Sequence, residues 1–220
     1  MNLNIEGDET KITIVYDNNI WKEGLKNAWG FSCLVKAYDK RILFDTGGRG
    51  TILLNNMAKL NIDIRSIDEV FISHAHGDHT GGLSDFLKVN PVKIYFPSSY
   101  QELRNAKEVI KVKKPIQIHE NIFSTGTLRG IEQSLIVKTE KGLVIIAGCA
   151  HSGVKNILEV ASRFGKPYAL IGGLHGFNDF DLVEDLEFIC PLHCTSHKLK
   201  IKSLYPEKYI EGGVGKTIEL

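Results

Sequence analysis

The stretch that decides the fold reads DEVFISHAHGDH and runs from Asp68 to His79. Its first half is apolar and β-branched, which predicts a short buried strand that ends at Ser73. Three histidines and an aspartate follow this strand: His74, His76, Asp78 and His79. Imidazole nitrogen and carboxylate oxygen are ligands that zinc, iron, manganese and cobalt share. The stretch therefore predicts a transition-metal site where a strand leaves its sheet.

The spacing within this cluster suits more than one ion. His74 and His76 point the same way in an extended segment, because side chains alternate. A turn at Gly77 then lets Asp78 and His79 face a neighbouring position. The chain has 8 histidines in 220 residues, so chance is a poor explanation for three of them in one loop. We expect one or two divalent metals here.

The rest of the chain predicts short strands and helices around this loop. Apolar runs indicate strands at residues 11–16, 31–38, 41–44, 92–96, 116–118, 134–137, 143–147, 168–171 and 188–190, and two more within 208–220. Helical spacing favours helices at 51–60, 82–89, 99–109 and 153–164. Early strands are hairpin-like and later ones alternate with helices, so we expect a layered α/β fold with mixed sheets. No segment resembles a linker, which predicts one domain over residues 1–220.

Further metal ligands are expected in the second half, after apolar strands. Cys149 and His151 follow the strand at 143–147, and His193 follows the strand at 188–190. Active groups in layered α/β folds usually lie where strands end. We expect His151 and His193 to be ligands. His175 also follows an apolar strand, and we expect it at the site as a ligand or as a substrate contact.

The chain resembles the metallo-β-lactamase superfamily, whose signature is His-x-His-x-Asp-His after a buried strand. Residues 74–79 match this signature, and both the Asp-Thr-Gly at 45–47 and the Thr-Gly-Gly at 80–82 fit its surroundings. The resemblance implies an αββα sandwich, in which two mixed sheets are flanked by helices. It also implies metals at one edge of the sheets and a hydrolytic activity.

One departure from the superfamily pattern concerns the bridging ligand. Most members place a histidine upstream of a strand that ends in Gly-Asp, and that aspartate bridges the two metals. Here the strand ends in Gly148-Cys149, and residues 124–129 contain no histidine. His151 can replace the missing ligand. Cys149 is either a thiolate ligand, which would favour zinc, or a small apolar residue in the core.

Motifs in the second half are similar to one subgroup of the superfamily. They are Gly-Cys-Ala-His-Ser-Gly at 148–153, Ile-Gly-Gly-Leu-His at 171–175 and Pro-Leu-His-Cys-Thr at 191–195. The subgroup consists of metal-dependent hydrolases, some of them named for dihydropterin-ribofuranosylaminobenzene phosphate synthase. The chain is short between His175 and His193, which suggests a trimmed substrate pocket.

Three functions are compatible with these residues. The first is a hydrolase of a small phosphoester, diphosphate or ester, with His74, His76 and His151 on one metal and Asp78, His79 and His193 on the other. Asp78 would also orient the attacking water, and His175 would assist catalysis. The second is a transferase that joins a dihydropterin diphosphate to a ribofuranosylaminobenzene phosphate. The third is a non-catalytic metal-binding or redox-sensing module with Cys149 as its responsive thiol. Zinc is the expected metal, with iron or manganese as alternatives.

The composition restricts the partners. The formal net charge is +1, which does not favour nucleic acid or an anionic membrane. No apolar run is long enough to cross a bilayer, and the first residues lack the apolar core of a secretory signal. The four cysteines do not suggest a disulfide framework. We expect a cytoplasmic protein with a small-molecule substrate; the sequence carries no sign of its oligomeric state.

Overall fold

Thirteen strands and five α-helices form the part of the chain that the structure describes, residues 10–99 and 106–220 of a computed structural model. The strands are β1 (Lys11–Tyr16), β2 (Ser32–Ala37), β3 (Lys40–Phe44), β4 (Glu69–Phe71), β5 (Lys93–Pro97), β6 (Glu108–Val112), β7 (Ile116–His119), β8 (Ile122–Ser124), β9 (Leu135–Thr139), β10 (Gly142–Ala147), β11 (Pro167–Gly173), β12 (Phe188–Leu192) and β13 (Thr217–Glu219). The helices are α1 (Gly50–Lys59), α2 (Gly77–Thr80), α3 (Leu83–Val89), α4 (Val154–Ala161) and α5 (Lys198–Leu204).

The strands form two mixed sheets. The first has the order β13-β1-β2-β3-β4-β5-β6 and the second the order β12-β11-β10-β9-β8-β7. Strands β3 to β6 run parallel in the first sheet, and β10 to β12 run parallel in the second. The other pairs are antiparallel.

Three apolar clusters separate the layers. One lies between the sheets and includes Phe44, Phe71 and Ile146. The second covers the outer face of the first sheet, where α1 and α3 contribute side chains such as Leu53 and Phe86. The third covers the outer face of the second sheet and contains residues of α4 and α5. This arrangement confirms the αββα sandwich with two mixed sheets.

Helix α4 illustrates why the sequence folds in this way. Its buried residues are Val154, Ile157, Leu158 and Ala161, the apolar face that its helical spacing predicts. These side chains pack in the same cluster as Ile145 of β10, whereas the next residue, Ile146, faces the other sheet. Alternation along β10 therefore supplies both layers.

Two predicted elements differ from the structure. A helix was expected over residues 99–109, but Glu108–Val112 is strand β6, which pairs in parallel with β5; residues 100–105 lie outside the described residues. The sequence Glu-Val-Ile-Lys-Val has three β-branched residues, which favour a strand, and pairing at the sheet edge decides its conformation. The tail was expected to hold two strands and has one, β13, while Tyr209 makes an isolated bridge to Ile189. Strand β8 and helix α5 were not predicted.

The parallel strands place the candidate site. Asp45 follows β3, His74 follows β4 after two residues, Cys149 follows β10 after one residue, His175 follows β11 after one residue, and His193 follows β12.

Within the described ranges, no helix is long and apolar enough to cross a membrane.

Candidate metal centre

The loop after β4 brings its histidines together through a turn. His74 is buried, and its Nδ1 lies 2.9 Å from the Ser73 hydroxyl. Its Nε2 lies 3.1 Å from Nδ1 of the exposed His76. Helix α2 begins at Gly77 and carries Asp78 and His79 back toward His74, so that the His74 and His79 rings are 4.2 Å apart. The turn expected at Gly77 is therefore a helical turn.

His151 completes the first group. Its ring centroid lies 4.9 Å from that of His74 and 4.9 Å from that of His76. One ligand atom from each of His74, Cys149 and His151 lies within 4.8 Å of the other two. Nε2 of His151 is buried and has no hydrogen-bond partner among the described residues. A buried nitrogen without a partner is costly, and a metal ion would satisfy it.

His79, Cys149 and His193 form the second group, whose ligand atoms also lie within 4.8 Å of one another. Nε2 of His79 lies 3.2 Å from Sγ of Cys149. Asp78 is beside this group, with Oδ2 at 3.2 Å from Nε2 of His193 and at 3.8 Å from Nε2 of His79. Cys149 therefore belongs to both groups and lies between them, at a position where it can serve as a ligand.

Asp45 orients His79. Its Oδ2 lies 2.7 Å from Nδ1 of His79 and accepts a hydrogen bond of 2.6 Å from the Ser73 hydroxyl, while Oδ1 accepts one of 2.7 Å from the Ser73 backbone N–H. This fixes the imidazole with Nε2 toward the site. Burial opposes a charge on His79, but the charge of Asp45 and its hydrogen bond outweigh burial and raise the pKa of His79. Asp45 opens the Asp-Thr-Gly segment that resembles the superfamily pattern, and its contact with His79 gives that segment a place at the candidate site.

His193 has its own partners, which the sequence analysis missed. Its backbone N–H donates to Asp17 at 2.8 Å, and its Nδ1 lies 3.0 Å from Oδ1 of Asn18. Trp29 packs against the imidazole with ring centroids 4.9 Å apart. Asp17 and Asn18 directly follow strand β1, and a pair of polar residues at a strand end was the available signal.

Several site residues have left-handed backbone conformations. Asp45, Ala150, His175 and His193 have φ values of 54°, 49°, 47° and 45°. Residues other than glycine seldom adopt such values, and they cluster at functional sites when the surrounding structure holds them there. Asp45 and His193 directly follow a β-strand, His175 follows β11 after one residue, and Ala150 lies in the turn between Cys149 and His151, so the chain turns sharply where the site residues leave the sheets.

Charges at the site favour metal binding. Burial lowers the pKa of His193 to about 3 and also lowers the pKa of His74 and of His151. These imidazoles are therefore neutral at physiological pH, which is the form that binds a metal. Burial acts to raise the pKa of Asp78, but His79, His193 and a hydrogen bond from Trp29 lower it, so Asp78 is a carboxylate. The donor set of neutral imidazoles, thiol and carboxylate fits a divalent transition metal.

A second thiol lies beside Cys149. Sγ of Cys194 is 3.2 Å from Sγ of Cys149, and both are unpaired cysteines. Their interaction lowers the pKa of Cys194 to about 6, and together with burial it raises the pKa of Cys149. Cys194 was not among the predicted site residues, although it directly follows His193.

His175 lies at the side of the first group. Its ring centroid is 4.9 Å from that of His151, but the side chain is exposed and lies outside both groups of ligand atoms. His151 and His175 line a cavity of about 520 Å³ together with Lys155, Asn178 and Asp179. This position fits a substrate contact better than a metal ligand.

The two sheets and the convergent histidines define an α/β sandwich with a candidate metal centre at the ends of its strands. Residues 30–161, more than half of the chain, match the family model of the metallo-beta-lactamase superfamily. The chain therefore belongs to this superfamily, and its membership implies that it binds divalent metals.

Three relatives are informative. The chain is 27% identical to 7,8-dihydropterin-6-methyl-4-(beta-D-ribofuranosyl)-aminobenzene-5'-phosphate synthase of Methanocaldococcus jannaschii over an alignment of 267 positions, which covers 89% of the chain and 88% of the relative. It is 29% identical to an uncharacterized protein of the same organism, over 94% of the chain and 99% of that protein. Tm1679, a metal-dependent hydrolase of the beta-lactamase superfamily, superposes with a TM-score of 0.79 at 26% identity, over 96% of the chain and 99% of Tm1679.

Proposed function

We propose that the chain is a metal-dependent hydrolase of a small substrate that contains a phosphoester, diphosphate or ester group. The observation that carries this proposal is the convergence of His151 and His193, from distant parts of the chain, on the loop of His74 to His79. The similarity to Tm1679 supports a hydrolytic reaction. A net charge of +1 supports a small molecule, and not nucleic acid, as the substrate.

Two groups of side chains would hold the metals. His74, His76 and His151 would form one site, and His79, His193 and Asp78 the other, with Cys149 between them. A bound divalent ion would supply Lewis acidity and a water of lowered pKa. Zinc is the proposed metal, because a donor set of imidazole and thiolate binds zinc in preference to manganese. Because Cys149 would act as a reduced thiol, we place the working protein in a reducing compartment such as the cytoplasm.

Asp78 and His175 would handle protons and the substrate. The Asp78 carboxylate lies 3.2 Å from Nε2 of His193, so Oδ2 can accept a proton from the attacking water or hold that water in line. His175 faces the cavity from beside His151, where it can contact the leaving group and donate a proton to it. The cavity of about 520 Å³ is of a size that suits a small molecule.

The test combines metal analysis with hydrolysis by the Asp78→Ala variant. Protein purified without added metal is analysed for its elements and assayed on phosphodiesters, lactones and thioesters. Loss of a general base costs about 10²–10⁴ in rate, so Asp78→Ala should lose turnover and stay folded. The control is Asp39→Ala, which removes an exposed carboxylate in the β2–β3 turn. Turnover near that of the unchanged protein, with metal bound, would refute the role of Asp78.

The transferase reading has one specific support, the synthase of Methanocaldococcus jannaschii. A transferase would use the same site to stabilise a departing diphosphate while an acceptor attacks in place of water. Incubation with a dihydropterin diphosphate and a ribofuranosylaminobenzene phosphate separates the two reactions. A coupled product would favour transfer, whereas release of diphosphate or phosphate without the acceptor would favour hydrolysis.

A redox-responsive metal module is the remaining candidate, and the distance of 3.2 Å between Cys149 and Cys194 favours it. A peroxide could oxidise the two thiols to a disulfide, with both thiol hydrogens and the peroxide oxygens leaving as water. This would remove Cys149 from the metal. Release of metal on peroxide treatment that dithiothreitol reverses, and that Cys194→Ser abolishes, would support this role. A disulfide that forms without any release of metal would count against it.

A further inference from the structure

Glu132 is a buried carboxylate outside the proposed ligands. Its side chain is 1% exposed, and Oε1 accepts hydrogen bonds of 2.7 Å from both the backbone N–H and the hydroxyl of Ser152. Oε2 is buried and has no hydrogen-bond partner among the described residues. A buried carboxylate is costly to keep, and more so when one oxygen is unpaired. The two hydrogen bonds to Ser152 offset part of this cost.

The partner of Glu132 belongs to a ligand loop. Ser152 directly follows His151, and the loop from Gly148 to Gly153 also carries Cys149. This loop turns through a left-handed Ala150 and a hydrogen bond of 2.9 Å from the Gly153 N–H to the Ala150 carbonyl. Such a turn needs support from its surroundings, and Glu132 supplies two hydrogen bonds to it.

The next residue, Gln133, holds the other ligand loop. Its backbone N–H donates to the carbonyl of Ser73 at 2.8 Å, and its side-chain amide donates to the carbonyl of Ile72 at 2.9 Å. Ser73 precedes His74 in the chain. Neighbouring residues 132 and 133 therefore connect the loop of His74, at the end of β4, to the loop of His151, at the end of β10.

We propose that Glu132 is a positioning residue that holds the His151 loop at the distance from the His74 loop that a shared metal ion requires. Ligands must be fixed within a fraction of an ångström for tight binding. Partners that orient ligands typically change metal affinity 10–100-fold when they are removed. The inference rests on the proposed metal centre, but it concerns metal affinity and not the reaction catalysed.

The test compares Glu132→Ala with Glu132→Gln. Alanine removes the acceptor of both Ser152 hydrogen bonds, whereas glutamine keeps a carbonyl oxygen that can accept them. Zinc affinity is measured by competition with a chromophoric chelator, and the absorption spectrum of bound Co²⁺ reports the geometry of the ligands. We expect Glu132→Ala to bind Zn²⁺ about 10–100-fold more weakly, with an altered Co²⁺ spectrum. Glu132→Gln should restore most of the affinity.

A matched control is Glu69→Ala. Glu69 is also buried, at 6% exposure, and its carboxylate contacts His119 at 2.6 Å, but it begins β4 at the end opposite to His74. We expect this variant to lose stability toward urea and to keep its zinc affinity. If Glu132→Ala does not fold, Ser152→Ala removes one of the same hydrogen bonds and should weaken zinc binding to a smaller degree.

Two results would overturn the inference: zinc affinity unchanged in both Glu132→Ala and Ser152→Ala, or an equal loss of affinity in Glu69→Ala. Failure of the proposed function has a different signature. In that case the unchanged protein binds zinc and hydrolyses none of the substrates, while the effect of Glu132→Ala on zinc affinity persists.

Discussion

Asp45→Asn should weaken metal binding by changing the tautomer of His79. The asparagine oxygen can accept from the Ser73 N–H, as Oδ1 of Asp45 does at 2.7 Å. The amide nitrogen then takes the position of Oδ2, 2.7 Å from Nδ1 of His79, and donates to it. A neutral imidazole with Nδ1 as acceptor carries its proton on Nε2, the nitrogen that faces Cys149. That nitrogen cannot then bind a metal.

The magnitude follows from the hydrogen bonds that are lost. Partners of this kind typically contribute 10–100-fold to metal affinity, which corresponds to about 1.4–2.7 kcal/mol. Loss of one charge-assisted hydrogen bond costs about 1.5–3 kcal/mol of folding stability. Alanine would leave three buried donors without an acceptor, at about 1–3 kcal/mol each, which approaches the total stability of about 5–15 kcal/mol of a typical domain. Asparagine is therefore the informative substitution.

The assay is a zinc titration against a chromophoric chelator, together with urea unfolding of the metal-free protein. Asp68→Asn is the control, because Asp68 also accepts a backbone hydrogen bond, at 2.8 Å from Arg41, but is exposed and away from the metal centre. We expect weaker zinc binding in Asp45→Asn and unchanged binding in Asp68→Asn. Unchanged affinity in a folded Asp45→Asn variant would refute the argument that the Nδ1 partner of His79 controls the metal.

Three further predictions concern the same centre. Because the pKa of His79 is raised, protons should displace the metal already above the usual imidazole value of about pH 6.5, which metal affinity measured between acid and neutral pH would reveal. The same shift stabilises the metal-free fold below that value, and this stabilisation is lost as the pH rises through the raised pKa of His79. Urea unfolding of the metal-free protein over the same pH range measures it. Gly148→Ala should lower zinc affinity and cost about 1–3 kcal/mol of stability, because the added Cβ would collide with the Ser73 hydroxyl. Its control is Gly77→Ala, which should leave zinc affinity and stability unchanged, since nothing lies within 4 Å of the Cβ that it adds. His175→Ala should lower kcat/KM by about 10² or more without loss of metal, measured by kinetics and elemental analysis.

The sequence predicted most elements that have a strong local pattern. The bounds predicted for β1 agree with the structure, and the helix predicted over residues 153–164 contains α4. The helix predicted over residues 99–109 was wrong at its C-terminal end, where Glu108 and Val109 belong to strand β6. Helical spacing in a short run cannot reveal that the edge of β5 is available to pair with Glu108–Val112. Pairing of this kind depends on the tertiary structure and not on the local sequence.

The site residues at strand ends were predicted because each follows a strand with a strong local pattern. Strong strands followed by histidine predicted where His151, His175 and His193 would lie. The structure brings His151 and His193 to the loop of His74 to His79, and places His175 beside His151. Asp17, Asn18, Cys194 and Glu132 were missed as site residues. Asn18 contacts His193 across 175 positions of the chain, and Glu132 reaches Ser152 across 20. No local periodicity predicts such a contact, so the residues that orient ligands are harder to find than the ligands.

Exposure of the centre bears on the choice between hydrolysis and transfer. A transferase must keep water away from its activated substrate, usually by closing a lid or inserted segment over the site. Among the described residues of this chain, His76 and His175 are exposed. These two exposed imidazoles give solvent access to the edge of an otherwise buried centre, so the proposed hydrolysis is the reaction to test first.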